Sequence, residues 1–444
     1  MSMFRGAGLS LDQAPPLAIP MSFFLMAPVA LLFAGGLLVV RAEELFLSNW
    51  APATIALTHL GTLGFLLAVM LGAMFQMTPV LGGAAVGRVR LAYGLLAIIV
   101  IGVVGLVGGL LWSTTELVSV AISALLVGVA VPLVMLLRAL SRASVVNDTV
   151  KGMKVALWAL AAVTIMGVWM AHGFAGMRFP GPRPTWLQVH LTLGLLGWVG
   201  GLIMAVSWQL IPMFYLTPGF GKELKRWCHR GLVLGIVATG CVPLLQWLDL
   251  LGGIPATRVA TIFSAPAAVV IWWVHTVSAL AELRRRRRKK VDPSKEFWIM
   301  GLCTGLLLPV VGLTAHLSAE PAWGLTFGWL AIWGWAGGII HGMLTRIVPF
   351  LVWFHRFSPF IGHAPVPAIR KMLPAAMAKR GLALHLLSLL FGLVAIWVGG
   401  SLVVRVAGCL LFITGLHILT SLTHVLRQFP DSNWHIPPSS NRAA

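Results

Sequence analysis

Uncharged apolar runs long enough to cross a bilayer recur along almost the whole chain, and they restrict what it can fold into. A helix rising 1.5 Å per residue needs about 20 residues to cross roughly 30 Å of hydrocarbon. Within that layer no water satisfies an open strand edge, so only helices and closed barrels span it. Runs such as "LLAIIVIGVVGLVGGLLW" lack the alternation of a barrel strand. The pattern predicts an all-α polytopic membrane protein of about twelve transmembrane helices. They fall at about 18–40, 51–81, 90–112, 116–138, 154–174, 186–216, 229–248, 259–283, 297–318, 324–352, 380–399 and 402–427. Only 10% of the 444 residues are charged, against about 25% in soluble domains. A single membrane domain over 1–444 is therefore expected, with 428–444 as a tail.

The net charge of +20 would point to nucleic acid in a soluble protein. Here the basic residues sit between the apolar runs. With both termini placed in the cytoplasm, 26 of the 32 Lys and Arg fall on the cytoplasmic side, five on the other, and Arg346 inside a helix. That bias is the positive-inside pattern of a protein in the cytoplasmic (inner) membrane. The expected partner is the lipid bilayer, not nucleic acid, and the run "RRRRRKK" at 284–290 reads as a topology anchor. No cleaved signal peptide is expected. The four cysteines are isolated and no C-x-x-C-H occurs, which argues against covalently attached haem.

Three helices share a pattern. "GTLGFLLAVMLGAMFQMTPVL", "GLLGWVGGLIMAVSWQLIPMF" and "AIWGWAGGIIHGMLTRIVPFL" align Gly64, Gly197 and Gly334, then Gly72, Ala205 and Gly342. They also align Gln76, Gln209 and Arg346, then Pro79, Pro212 and Pro349. Offsets of 133 and 137 residues, four helices each, predict three four-helix units over 18–138, 154–283 and 297–427 in a pseudo-threefold arrangement. Gln76, Gln209 and Arg346 lie on the proline's own face, where they can satisfy carbonyls that it frees, a structural polar role. Arg346, near a helix end, can also snorkel to the surface.

Histidines inside apolar helices need a partner for each ring nitrogen: another polar group, or an iron or copper ion. His59, His172, His190 and His316 share an outer layer, while His275, His341, His385 and His417 lie deeper. His59 and His190 are the best candidates for holding a cofactor, with His316 as a third ligand and His172 as a weaker fourth.

In "THLGTLGF" and "WLQVHL" the chain resembles subunit I of the haem–copper oxidase superfamily, in its branch of C-type oxidases and nitric-oxide reductases. The resemblance implies twelve helices, pseudo-threefold symmetry and cytoplasmic termini. It implies His59 as a haem ligand early in helix 2. It implies His190 as a metal ligand early in helix 6, four residues after Trp186. The family's two histidines near the start of helix 10 have no counterpart in "PAWGLTFGWLAIWGWAGG", nor have its paired histidines in helix 7. No acidic residue reads as lying inside a span. An oxygen-reducing or proton-pumping centre is therefore not expected. The expectation is a membrane protein that binds haem b, copper or both, serving electron transfer or nitric-oxide or metal handling with a redox partner or another membrane subunit. Two alternatives stay open: a permease for a small solute, and a metal-free partner subunit.

Overall fold

The computed structural model describes residues 13–179, 181–287, 292–432 and Trp434. The last residues of the basic run, 288–290, and most of the tail lie outside the described residues. Among the described residues, twelve helices are long and apolar enough to cross a membrane: α1 Ala18–Val40, α2 Pro52–Gly82, α3 Leu91–Trp112, α4 Thr115–Ser141, α5 Asp148–Ala171 and α6 Arg183–Tyr215. They continue with α7 Lys222–Trp247, α8 Ala256–Arg284, α9 Pro293–Leu317, α10 Pro321–Arg356, α11 Ala375–Val398 and α12 Ser401–Leu426. The protein is an all-helical, multi-pass membrane protein. No strand occurs among the described residues.

The helix ends differ from the sequence expectation where polar residues extend a helix past its apolar stretch. α7 starts at Lys222, so that it includes "KELKRWCHR", and α5 starts at Asp148. The α5 start is set by Asn147, whose side chain accepts a 2.9 Å hydrogen bond from the Val150 N–H. That satisfies one of the helix's orphan donors. Asn147→Ala is expected to cost about 1 kcal/mol, read as a small fall in thermal midpoint in detergent.

Nine helices contact one another in sequence around the outside: α1, α3, α4, α5, α7, α8, α9, α11 and α12, with α12 returning to α1. The other three are the most buried of the twelve. Within their most apolar windows, 67% of α2, 78% of α6 and 67% of α10 is buried, against 56% for the next, α1. α2, α6 and α10 are the helices that carry the repeated pattern.

The small residues aligned in these three helices also make similar contacts. A Cβ placed at Gly64 would lie 2.6 Å from the Ala30 methyl of α1, one at Gly197 2.7 Å from the Ala159 methyl of α5, and one at Gly334 2.7 Å from Thr304 Cγ2 of α9. Farther along, Gly72 packs on Phe23 of α1, Ala205 on Gly152 of α5, and Gly342 on Phe297 of α9. Each inner helix thus uses the same small positions against the helix before it. In lipid, where apolar side chains gain little by leaving their surroundings, close backbone approach is a main source of association.

A feature absent from the sequence reading runs through the same positions. α2, α6 and α10 each widen into π-helix, at Leu60–Leu67, Thr192–Gly200 and Leu330–Gly337. Gly64, Gly197 and Gly334 fall inside these segments. α8 has a further π segment, Val269–His275. π turns are rare and concentrate at functional sites.

At the end of the bundle opposite His59, Arg346 is not free to reach solvent as expected. Its guanidinium pairs with the Asp292 carboxylate at 3.1 Å, with only 15% and 12% of the two side chains exposed. A second nitrogen reaches the Phe214 carbonyl at 3.5 Å. Asp292 Oδ1 accepts from Ser294 Oγ at 2.6 Å, and Ser294 Oγ meets Tyr215 Oη at 2.8 Å. This network ties the ends of α6 and α10 to the start of α9. A second acidic group is held at the same end of the bundle, in the last turn of α8, where it also meets Arg285 at 3.4 Å. This residue, Glu282, is only 5% exposed and accepts the Gly219 N–H at 2.9 Å.

Candidate haem or metal site

His59 and His190 come from two inner helices that start alike, with proline in the first turn. The π segment of α2 begins directly after His59, and that of α6 two residues after His190. The two rings face each other with centroids 6.5 Å apart and planes inclined by 40°.

His59 donates from Nδ1 to the Ile55 carbonyl at 2.8 Å. The proton on Nδ1 leaves the lone pair on Nε2. A backbone acceptor of this kind fixes the tautomer of a metal-binding imidazole. His190 Nδ1 is buried and has no hydrogen-bond partner among the described residues. Its ring packs on α5, where a Cβ at Gly167 would lie 3.1 Å from His190 Cε1. Beside it, a groove of about 550 Å³ opens between α5, α6 and α7, lined by Trp158, Trp169, Trp186 and Met166 among others.

The separation has a chemical meaning. Two imidazoles on opposite sides of one ion, each with a metal–nitrogen bond near 2 Å, hold their ring centres about 6 Å apart. A direct imidazole–imidazole hydrogen bond would bring nitrogens to about 3 Å, and none links this pair among the described residues. The two rings therefore face each other without a direct hydrogen bond between them.

The other expected residues lie elsewhere. His316, expected as a third ligand, ends α9 and turns to α8, where Nδ1 lies 3.3 Å from Thr261 Oγ1. Sharing a depth did not bring it to the pair, because the face a residue presents depends on helix rotation as well as height. His172 donates from Nδ1 to the Val168 carbonyl at 2.7 Å. Among the described residues no group of three or more His, Cys, Asp or Glu side chains is placed to hold a metal ion. Of the structural polar residues, Gln76 is buried with Oε1 lacking a hydrogen-bond partner, Gln209 is half-buried, and Arg346 serves the network above.

The deeper histidines divide. His275 Nε2 lies 2.8 Å from Ser207 Oγ of α6. His341 and His385 meet each other, at 3.3 Å between their Nδ1 atoms. The sequence put these residues at similar depths but gave no sign of which would pair.

No protein-family model matches the chain, and no curated protein matches it. Fold and site define a class: a twelve-span helical membrane protein with two opposed imidazoles at the starts of two of its most buried helices.

Proposed function

We propose that this protein is a haem- or copper-binding membrane protein of the oxidase-like fold, built from three four-helix units, with His59 and His190 as the ligands. The observation that carries this reading is the 6.5 Å separation of the two rings, together with the locked Nδ1–H of His59. A bound haem iron or copper would supply a one-electron redox change or an open position for a small diatomic molecule. The chain's own part is to hold two neutral imidazoles among apolar side chains, which favours low-charge states of the ion. Without the paired histidines of helix 7, an oxygen-reducing two-metal centre has no second set of ligands. The protein belongs, on this reading, in the cytoplasmic membrane with both termini inside, where electrons would pass to or from another membrane subunit or a redox partner.

The test is an optical spectrum and metal analysis of purified protein, before and after dithionite. A Soret band, or about one copper per chain, is expected in the wild type. His59→Ala and His190→Ala should each lose most of it. Full retention in both variants would remove the assignment. Solute uptake by vesicles containing protein with no chromophore and no metal would favour the permease, a reading supported by wide π turns at matching positions in α2, α6 and α10.

A further inference from the structure

Hydrogen bonds around two buried histidines leave one ring nitrogen without a donor. His341 of α10 and His385 of α11 are 3% and 0% exposed. Trp333 stacks on the His385 ring at 4.0 Å, and the Phe297 ring lies 4.5 Å from that of His341. Among such neighbours an isolated charge is costly, so both imidazoles are neutral and each carries one N–H.

The place of each proton follows in turn. His385 Nε2 lies 3.1 Å from the Trp333 carbonyl. A carbonyl only accepts, so Nε2 holds the His385 proton and Nδ1 holds its lone pair. The two Nδ1 atoms are 3.3 Å apart. His341 therefore donates from Nδ1 to His385 in a long hydrogen bond, which uses its only proton. His341 Nε2 is left as an acceptor.

No protein donor reaches that nitrogen among the described residues. His417 of α12 comes nearby: a Cβ at Gly381 would lie 3.2 Å from His341 Nε2 and 3.3 Å from His417 Nε2. The His417 Nε2 proton goes instead to the Met377 carbonyl at 2.9 Å. What does meet His341 is a cavity of about 10 Å³ between α10 and α12, with Thr345 and Ser421 in its wall. Because Nδ1 is turned to His385, Nε2 is the ring nitrogen left to face the cavity. Thr345 Oγ1 donates to the Gly342 carbonyl at 2.7 Å and keeps lone pairs free. Ser421, 8% exposed, has a hydroxyl that can donate. The wall thus offers two acceptors and one donor around room for about one water, and a buried water typically makes about three hydrogen bonds.

We propose that this cavity is a binding site for one water, which donates to His341 Nε2 and Thr345 Oγ1 and accepts from Ser421 Oγ. The water completes a chain running from the Trp333 carbonyl, in the π segment of α10, through His385 and His341 to α12. Nitrogen-15 histidine spectra of the full-length protein in nanodiscs test it, with His341→Gln and His385→Gln assigning the two rings. In the wild type, His341 is expected to be protonated at Nδ1 and His385 at Nε2, with a cross-peak between the His341 ring and water. Ser421→Val puts methyl groups into the cavity. It is expected to lose the water cross-peak while keeping both tautomers and the wild-type elution profile. A His341 ring protonated at Nε2, or a wild-type ring without water contact, would overturn the proposal. So would a water contact that persists in Ser421→Val. The wild-type spectrum decides even where the variant fails to assemble. No readout depends on His59 or His190, so the outcome is separate from that of the haem or copper site.

Discussion

Arg346→Ala should lower stability by about 3–5 kcal/mol, the usual cost of stripping one partner from a buried ion pair. The loss is large because what remains is the problem. The Asp292 carboxylate, 12% exposed, keeps its Ser294 hydrogen bond but loses its cation. The Phe214 carbonyl loses a donor as well. Asp292→Ala should cost a similar amount by leaving the guanidinium uncompensated. The double variant Arg346→Ala/Asp292→Ala should be more stable than the two separate losses summed, since neither charge is then stranded. Arg346→Lys should recover only part, because a single ammonium cannot serve the carboxylate and the carbonyl with a planar fork. Thermal midpoints in detergent, read by the fraction that still elutes as a monodisperse peak, give the cycle. Strictly additive losses would show that the two groups do not interact.

The second large effect is expected at the contact between α1 and α12. A Cβ at Gly35 would lie 2.6 Å from the Phe412 nitrogen, 2.7 Å from the Gly408 carbonyl oxygen and 2.8 Å from Phe412 Cα. These are backbone atoms, which cannot rotate aside as a side chain can. Gly408 faces the same constraint, with the Gly35 carbonyl oxygen 2.8 Å from its own built Cβ. Overpacking costs about 1–3 kcal/mol where side chains can adjust. Gly35→Leu has no such outlet and is expected to exceed that range and prevent monodisperse assembly. Gly36 is the control, since a Cβ there meets nothing within 4 Å. Gly36→Leu should leave the elution profile and midpoint near wild type. Equal behaviour of the two variants would refute the tight packing of this contact.

The architecture was readable where a single physical quantity decided it. Apolar length fixed the spans, because a bilayer has one thickness. The spacing of Gly64, Gly197 and Gly334 singled out the three helices that prove most buried, because only small residues let backbones touch. What escaped the sequence reading depends on rotation and pairing. His59, His190 and His316 share a depth, yet only the first two face each other. The π segments leave no residue signature, since a shift from i+4 to i+5 bonding is a backbone event. Arg346 read as a side chain bound for the surface, because Asp292 lies in a loop far from it in sequence. His341 and His385 were visible as buried polar groups, but their partnership required the register of α10 against α11.

The return of α12 to α1 has a consequence for how the chain is made. α1 leaves the ribosome before the other eleven spans described above, yet its neighbour α12 is made after all of them. Throughout synthesis the glycine surface around Gly35 has no mate within the chain. The nascent protein therefore stays an unclosed arc until Gly408 and Phe412 have emerged, and a transcript cut short before α12 would release an arc with both ends bare to lipid and to quality-control proteases.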